Sequence, residues 1–148
     1  MSLTSLLLFA HVFSAVLMIG PLTVASGAFG RYVKAAQDDP AALGAARELG
    51  RISNNYGSSS ALVGGIGIVL ATEAGWWSAL WLQIAAAVFT AGYLILVVSV
   101  LPVQRKLLAE VENGGSVDPR LIAKLHSTTG AYSLSWVAVL ALMVLKPW

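Results

Sequence analysis

The sequence predicts an all-α fold: one domain over residues 1–148 that forms an integral membrane bundle of four transmembrane helices. Of the 148 residues, 57% are hydrophobic and 11% are charged, whereas charged residues make up about 25% of a soluble domain. The charges leave four uncharged stretches, at 1–30, 52–72, 74–104 and 125–145. Each is long enough for a helix to cross the hydrocarbon layer, which takes roughly 20 apolar residues. This composition excludes a soluble globular enzyme and a disordered chain.

The first span is predicted over residues 3–29. No basic residue precedes its apolar run and no small-residue cleavage site follows a short apolar core, so a secretory signal peptide is not indicated. A short cytoplasmic helix is predicted over 40–52, because Asp39 provides an N-cap and Pro40 fits the first turn of a helix. This helix carries charge, Arg47 included, and we expect it to run into the second span.

The remaining spans are predicted over 53–72, 80–103 and 125–145. A tight connection containing two tryptophans joins the second span to the third. The third span ends where Arg105 follows it, and Pro119 begins the helix that contains the fourth.

The distribution of basic residues predicts the orientation. The connections after the first and third spans lie on one side of a four-span protein, and they and their flanks hold eight of the nine Lys and Arg residues: Arg31, Lys34, Arg47, Arg51, Arg105, Lys106, Arg120 and Lys124. The positive-inside rule makes that side cytoplasmic, with both termini outside. An aromatic belt is expected at the outer ends, formed by Trp76, Trp77, Trp81 and Trp148.

Two histidines are candidate ligands of a haem or a metal, since neutral imidazole is a common ligand. His11 lies within the first span, and His126 opens the last span from the other side. Their predicted depths differ by roughly 15 Å or more, which argues against one haem bound by both. His11 with a ligand of another type stays open, beside the interpretation that it hydrogen-bonds within the bundle.

The first half of the second span is unusually polar. Its amides and hydroxyls are costly to expose to lipid, so two interpretations stand: hydrogen bonds between helices, or a small cytoplasm-facing pocket shared with the start of the last span. The residues of this predicted polar cluster are Asn54, Asn55, Tyr56, Ser60, His126 and Thr129.

Small residues permit close approach of another helix. Gly57 lies four residues before another small residue, Ala61, and the second half of the span adds Gly64, Gly65 and Gly67. These four glycines are the predicted helix-packing positions. Because lipid gains little from a glycine surface, we expect this segment to contact protein, either within the bundle or in another subunit.

The sequence lacks the residues that several kinds of chemistry require. The chain contains no cysteine, which excludes disulfides and thiolate metal sites. No carboxylate lies within a span, no phosphate-binding loop or nucleophile elbow is present, and no basic patch indicates nucleic-acid binding. We therefore expect no enzymatic activity and no bound cofactor, with haem b as the alternative.

Three short segments resemble a bacterial family of predicted integral membrane proteins with four spans and unknown function. They are Leu8–Leu17, with His11, Leu101–Leu107, and Leu142–Pro147. The resemblance extends over essentially the whole chain and implies a multi-pass protein of the bacterial inner membrane. The first segment is also similar to copper-resistance D type membrane domains, and this implies a copper or haem ligand at His11 alone.

Two functions are expected from these observations. The first is a small non-catalytic membrane protein, an accessory or assembly subunit that contacts lipid and either other membrane subunits or further copies of itself. The alternative is a haem- or copper-binding redox protein that uses His11 as its ligand.

Overall fold

A computed structural model describes residues 2–146, and the all-α prediction is confirmed: no strand occurs among these residues. The helices form a bundle, and four continuous helical stretches are long and apolar enough to cross a membrane. Two short turns, Trp76–Ser78 and Leu96–Val100, join consecutive helices. The helices are α1 (Leu3–Ala35), α2 (Pro40–Ser59), α3 (Ala61–Ala74), α4 (Leu80–Ile95), α5 (Leu101–Glu112) and α6 (Pro119–Leu145).

The helix predicted over 40–52 does not end there, because α2 continues to Ser59 and α3 follows after a single residue. Ser60 keeps α-helical dihedral angles, and its backbone N–H donates to the Tyr56 carbonyl at 2.8 Å. Its side chain donates to the carbonyl of Gly57 at 2.7 Å. The polar residues therefore lie within one long helical stretch, with a slight tightening at Ser60 where Val63 bonds back by three residues.

The predicted third span likewise continues past residue 103, through α5 to Glu112. Between α4 and α5 the chain makes a π-helical turn, in which the Leu101 N–H donates to the Leu96 carbonyl. Proline at position 102 explains this turn, because its ring lacks an N–H and clashes with the carbonyl four residues back. The helix ends at a glycine: Gly114 has φ +73°, and the Gly115 N–H donates to the Glu110 carbonyl at 2.8 Å.

The two ends of the bundle differ in charge. One, called here the basic end, contains the connections α1–α2 and α5–α6, held together by an Arg47–Glu112 ion pair at 2.6 Å and by the Val117 N–H donating to the Gln37 side chain at 2.8 Å. At the opposite end, called the tryptophan end, the Lys146 ammonium lies 4.8 Å from the centre of the Trp76 ring. The predicted Trp148 lies outside the described residues.

The principal core lies toward the basic end. Its fully buried side chains include Phe29, Leu96 and Leu107, whereas the buried cluster at the tryptophan end is small and contains Trp81. Between Leu3 and Pro21, the half of α1 nearer the tryptophan end, Ser14 is the one buried residue. The bundle is therefore tightly packed at its basic end and thinly packed at the other.

Candidate functional site

His11 lies in the contact between α1 and α3. Its Nδ1 is 3.1 Å from the carbonyl oxygen of Val63. Since a carbonyl oxygen can only accept, Nδ1 carries the proton and donates, and Nε2 of the neutral ring keeps its lone pair. A Cβ atom on Gly67 would stand 2.9 Å from His11 Cε1, so the ring occupies the space that a side chain at 67 would fill. The imidazole ring therefore packs against one turn of α3.

The second histidine is far from the first. His126 Nε2 is 3.0 Å from the position of a Cβ on Gly30, which places this ring against α1 near the basic end. Gly30 follows His11 by 19 residues on the same helix, a rise of about 28 Å at 1.5 Å per residue. Two axial ligands of one haem must lie on opposite faces of the same iron, so these two histidines do not form such a pair.

Among the residues that the structure describes, His, Cys, Asp and Glu side chains do not gather in groups of three or more. A histidine that binds a metal usually donates its other ring N–H to a carbonyl or carboxylate, which fixes its tautomer. The Nδ1–H of His11 makes a bond of this kind, but the ring packs against α3 at Gly67, as a packing residue does.

Glycines mark most contacts between helices. A Cβ on Gly64 would lie 2.7 Å from the ring of Phe89, which joins α3 to α4, and one on Gly57 would lie 3.2 Å from Leu101, which joins α2 to α5. Both are tighter than ordinary van der Waals contacts. Three of the four predicted packing glycines, those at 57, 64 and 67, therefore lie where another helix approaches.

Gly65 does not pack within the bundle, and its predicted contact with another subunit stays a prediction. Its Cβ position has no neighbour within 4 Å, and the residue is exposed. The reason is helix geometry: position 65 is rotated by about 100° from position 64 and by about 200° from position 67. When 64 faces α4 and 67 faces α1, position 65 faces the outside of the bundle.

The predicted polar cluster does not assemble into one pocket. Asn54, Asn55 and His126 are exposed, Tyr56 is half-buried, and Ser60 and Thr129 are buried. The predicted hydrogen bonds between helices are not formed by Ser60 either, because its hydroxyl donates to the carbonyl of Gly57 within the same helical stretch. The hydroxyl of Thr129 has no hydrogen-bond partner within the part of the chain that the structure describes.

Two features escaped sequence reasoning. The first is Gly92, where a Cβ would overlap the Ser135 hydroxyl oxygen, so α4 and α6 approach closely there. The second is the buried side chain of Gln104, whose amide nitrogen and oxygen have no hydrogen-bond partner among residues 2–146. The sequence signal for Gly92 is that it is an isolated glycine within the third span. Gln104 has no such signal, because it directly precedes Arg105 in a segment that is predicted to leave the membrane.

Comparison of the chain with protein-family models, with curated proteins and with solved structures finds no match. The candidate site is therefore built from the geometry of this chain.

The first half of α1 carries an exposed apolar surface, which is the last part of the candidate site. Phe9, Phe13, Val16 and Gly20 follow one another at spacings of four, three and four residues, which places them on one face of α1. The first three are 66%, 55% and 70% exposed, and the two phenyl rings stack with their centres 5.8 Å apart. Nothing lies within 4 Å of a Cβ on Gly20. We call these four residues the α1 face.

Proposed function

We propose that this chain is a non-catalytic accessory subunit of the bacterial inner membrane, and that the α1 face contacts a transmembrane helix of a larger partner. The observation that carries the proposal is the thin packing of the first half of α1, where Ser14 alone is buried. Because this half of α1 contributes so little to its own bundle, most of its surface is free for a neighbour.

Gly20 favours a protein neighbour over lipid. Helix association in a membrane depends on close van der Waals packing, which small residues permit. Gly20 forms a notch beside the bulkier Val16 and the stacked phenyl rings. A partner side chain fits such a surface better than a mobile lipid tail does.

A non-catalytic role is supported by how the polar groups are used. The imidazole of His11 bonds to the backbone of α3, and that of His126 packs on Gly30. Neither arrangement pairs a nucleophile with a base, as covalent catalysis requires. The alternative of a haem or copper ligand at His11 is less well supported, because the ring is seated in a helix contact.

The proposed orientation places the basic end in the cytoplasm. The eight basic residues of the two connections support it through the positive-inside rule. The bacterial inner membrane is proposed from the resemblance of the three segments described above.

Photocrosslinking in living cells tests the partner. A photoreactive phenylalanine analogue replaces Val16 on α1 or, as the control, Leu134 on α6, because both side chains are 70% exposed and both lie near mid-helix. We expect the probe at position 16 to yield one discrete protein adduct and the probe at 134 to yield none. Adducts from both positions, from neither, or from 134 alone would contradict the proposal.

A further inference from the structure

A groove lies between the end of α1 and the start of α2, at the basic end. Its volume is about 500 Å³, within the range of small-molecule sites, and it is open to the outside of the bundle. Three alanines contribute only small side chains to it, and the other three residues are a cation, a phenol and an anion. The lining residues are Arg31, Tyr32, Ala35, Asp39, Ala41 and Ala42.

The positive group of the groove is held in place by its neighbour. The Cζ atom of Arg31 lies 4.9 Å from the centre of the Tyr32 ring, a cation–π contact, and its Nη2 donates to the Tyr32 hydroxyl at 3.4 Å. Arg31 forms no ion pair with any residue from 2 to 146, whereas Arg47 and Arg51 each have a carboxylate partner. The rest of its planar N–H fork has the geometry that binds phosphate oxygens.

The negative group of the groove is Asp39. Its Oδ1 accepts from the backbone N–H of Ala41 at 2.8 Å, as the N-cap of α2. An ionised carboxylate accepts about four hydrogen bonds, so this bond leaves most of that capacity. Within the described residues Asp39 does not pair with Arg31 or with another cation. One groove therefore presents two opposite charges that do not neutralise each other, which suits a ligand that carries both an anion and a cation.

The groove lies at the level of the lipid headgroups. Arg31 follows the uncharged stretch 1–30 directly, so it lies where α1 leaves the hydrocarbon layer. Ala35, which also lines the groove, is about 6 Å farther along the helix at 1.5 Å per residue. The headgroup layer on each side of a bilayer is roughly 5–8 Å thick. The groove therefore spans that layer.

The two charges are also ordered along the membrane normal. Helix α2 returns along α1, because Gly50 packs on the ring of Phe29. Asp39 precedes Gly50 by eleven residues, so it lies farther from the hydrocarbon layer than Arg31 does. In a zwitterionic phospholipid the phosphate is joined to the glycerol and the ammonium lies beyond it. The order of charges in the groove matches that order in the headgroup.

An apolar surface leads from Arg31 into the membrane. Val24 and Gly27 precede Arg31 by seven and four residues, which places them on the same face of α1. Val24 is 71% exposed, and nothing lies within 4 Å of a Cβ on Gly27. This surface is nearer the basic end than the α1 face is, and it suits an acyl chain.

We propose that this groove binds the headgroup of a zwitterionic phospholipid with a primary ammonium, phosphatidylethanolamine. The Arg31 guanidinium donates to the phosphate oxygens, and the ammonium donates to the Asp39 carboxylate. An acyl chain lies along Val24 and Gly27. A primary ammonium has N–H donors for the carboxylate, whereas the choline headgroup has none and the glycerol headgroup carries no cation. This site is independent of the partner proposed for the α1 face.

The test uses the full chain in nanodiscs of phosphatidylcholine with increasing fractions of phosphatidylethanolamine. The measurement is the thermal unfolding midpoint of the wild type, of Arg31→Gln and of Asp39→Asn. Asparagine caps a helix as well as aspartate does, so Asp39→Asn removes the charge and keeps the cap. We expect the wild-type midpoint to rise with the phosphatidylethanolamine fraction. The fraction that gives a fixed small rise should be about tenfold larger in each variant, since a hydrogen bond between charged groups is lost.

Lys34→Gln and Asp38→Asn are the matched controls. Each removes the same charge from a nearby exposed residue that does not line the groove, and each should respond like the wild type. Phosphatidylglycerol in place of phosphatidylethanolamine should stabilise the wild type less. A wild type that does not respond, controls that lose the response as the groove variants do, or equal stabilisation by phosphatidylglycerol would overturn the proposal.

A second arm identifies the source of the headgroup. Free phosphoethanolamine is added to the wild type in pure phosphatidylcholine nanodiscs. No change in the midpoint supports the lipid. Stabilisation equal to that given by phosphatidylethanolamine, and lost in Arg31→Gln, would overturn the lipid assignment in favour of a soluble zwitterion.

Discussion

At residue 67 the absence of a side chain has a specific consequence. A helix carbonyl points toward the residue four positions on, so the Val63 oxygen lies beneath position 67. Because Gly67 has no Cβ, the His11 ring reaches that oxygen and donates to it at 3.1 Å. This bond joins α1 to α3 in the thinly packed half of the bundle, where Ser14 is the one buried residue of α1.

Gly67→Ala should therefore destabilise the protein, because its Cβ would displace the imidazole, 2.9 Å away, and break the bond to Val63. Overpacking costs about 1–3 kcal/mol, and the gain in helix propensity from alanine, about 1 kcal/mol, offsets part of it. Gly65→Ala is the control, since its Cβ would meet open space; it should be unchanged or slightly more stable. Thermal unfolding in one detergent measures both, and equal behaviour would contradict the role assigned to Gly67.

The sequence showed that this segment must pack closely but not which glycine faces which helix. Gly64, Gly65 and Gly67 lie within four residues and point in different directions, so the choice depends on where α1 and α4 stand. Likewise, the sequence predicts that His11 faces the bundle interior but not which carbonyl accepts its hydrogen bond. All helix carbonyls are equivalent candidates until the structure shows which of them a neighbouring glycine leaves accessible.

At the scale of helices, α4 and α6 meet at Gly92 with no room for a side chain there. A Cβ on Gly92 would overlap the Ser135 hydroxyl oxygen and would stand 2.9 Å from the Ser135 Cβ. The contact with the Ser135 Cβ matters more, because a rotation of the hydroxyl relieves the first contact alone. The two backbones are therefore as close as their side chains permit.

We expect Gly92→Ala to destabilise the bundle by about 2–3 kcal/mol through overpacking. Adding Ser135→Gly removes both opposing atoms, so the double variant should recover at least half of the loss. A double-mutant cycle of thermal unfolding measures this coupling. Additive effects of the two substitutions would mean that they do not meet across the interface.

Hydropathy predicts the four spans, and Arg105 is predicted to follow the point where the third span leaves the membrane. The sequence does not show that α5, beyond that point, still packs into the core. Leu101, Leu107 and Val111 of α5 are buried in the principal core, so apolar packing continues past the point where charge appears.

At the scale of the whole molecule, the packing is asymmetric. The core toward the basic end is formed by helices from all four spans, and two polar contacts between the connections reinforce it. The tryptophan end has a much smaller cluster. The tightly packed part anchors the bundle, and the thinly packed part leaves the α1 face exposed.

Cysteine labelling tests the central claim, a four-span bundle whose two connections at the basic end face the cytoplasm. The chain has no native cysteine, so Gly44→Cys, Ser116→Cys and Ser78→Cys each provide one exposed thiol, in the two connections and at the tryptophan end respectively. A membrane-impermeant maleimide should label position 78 in intact cells and positions 44 and 116 only after permeabilisation. Labelling of 44 or 116 in intact cells, or opposite behaviour of these two positions, would contradict the account.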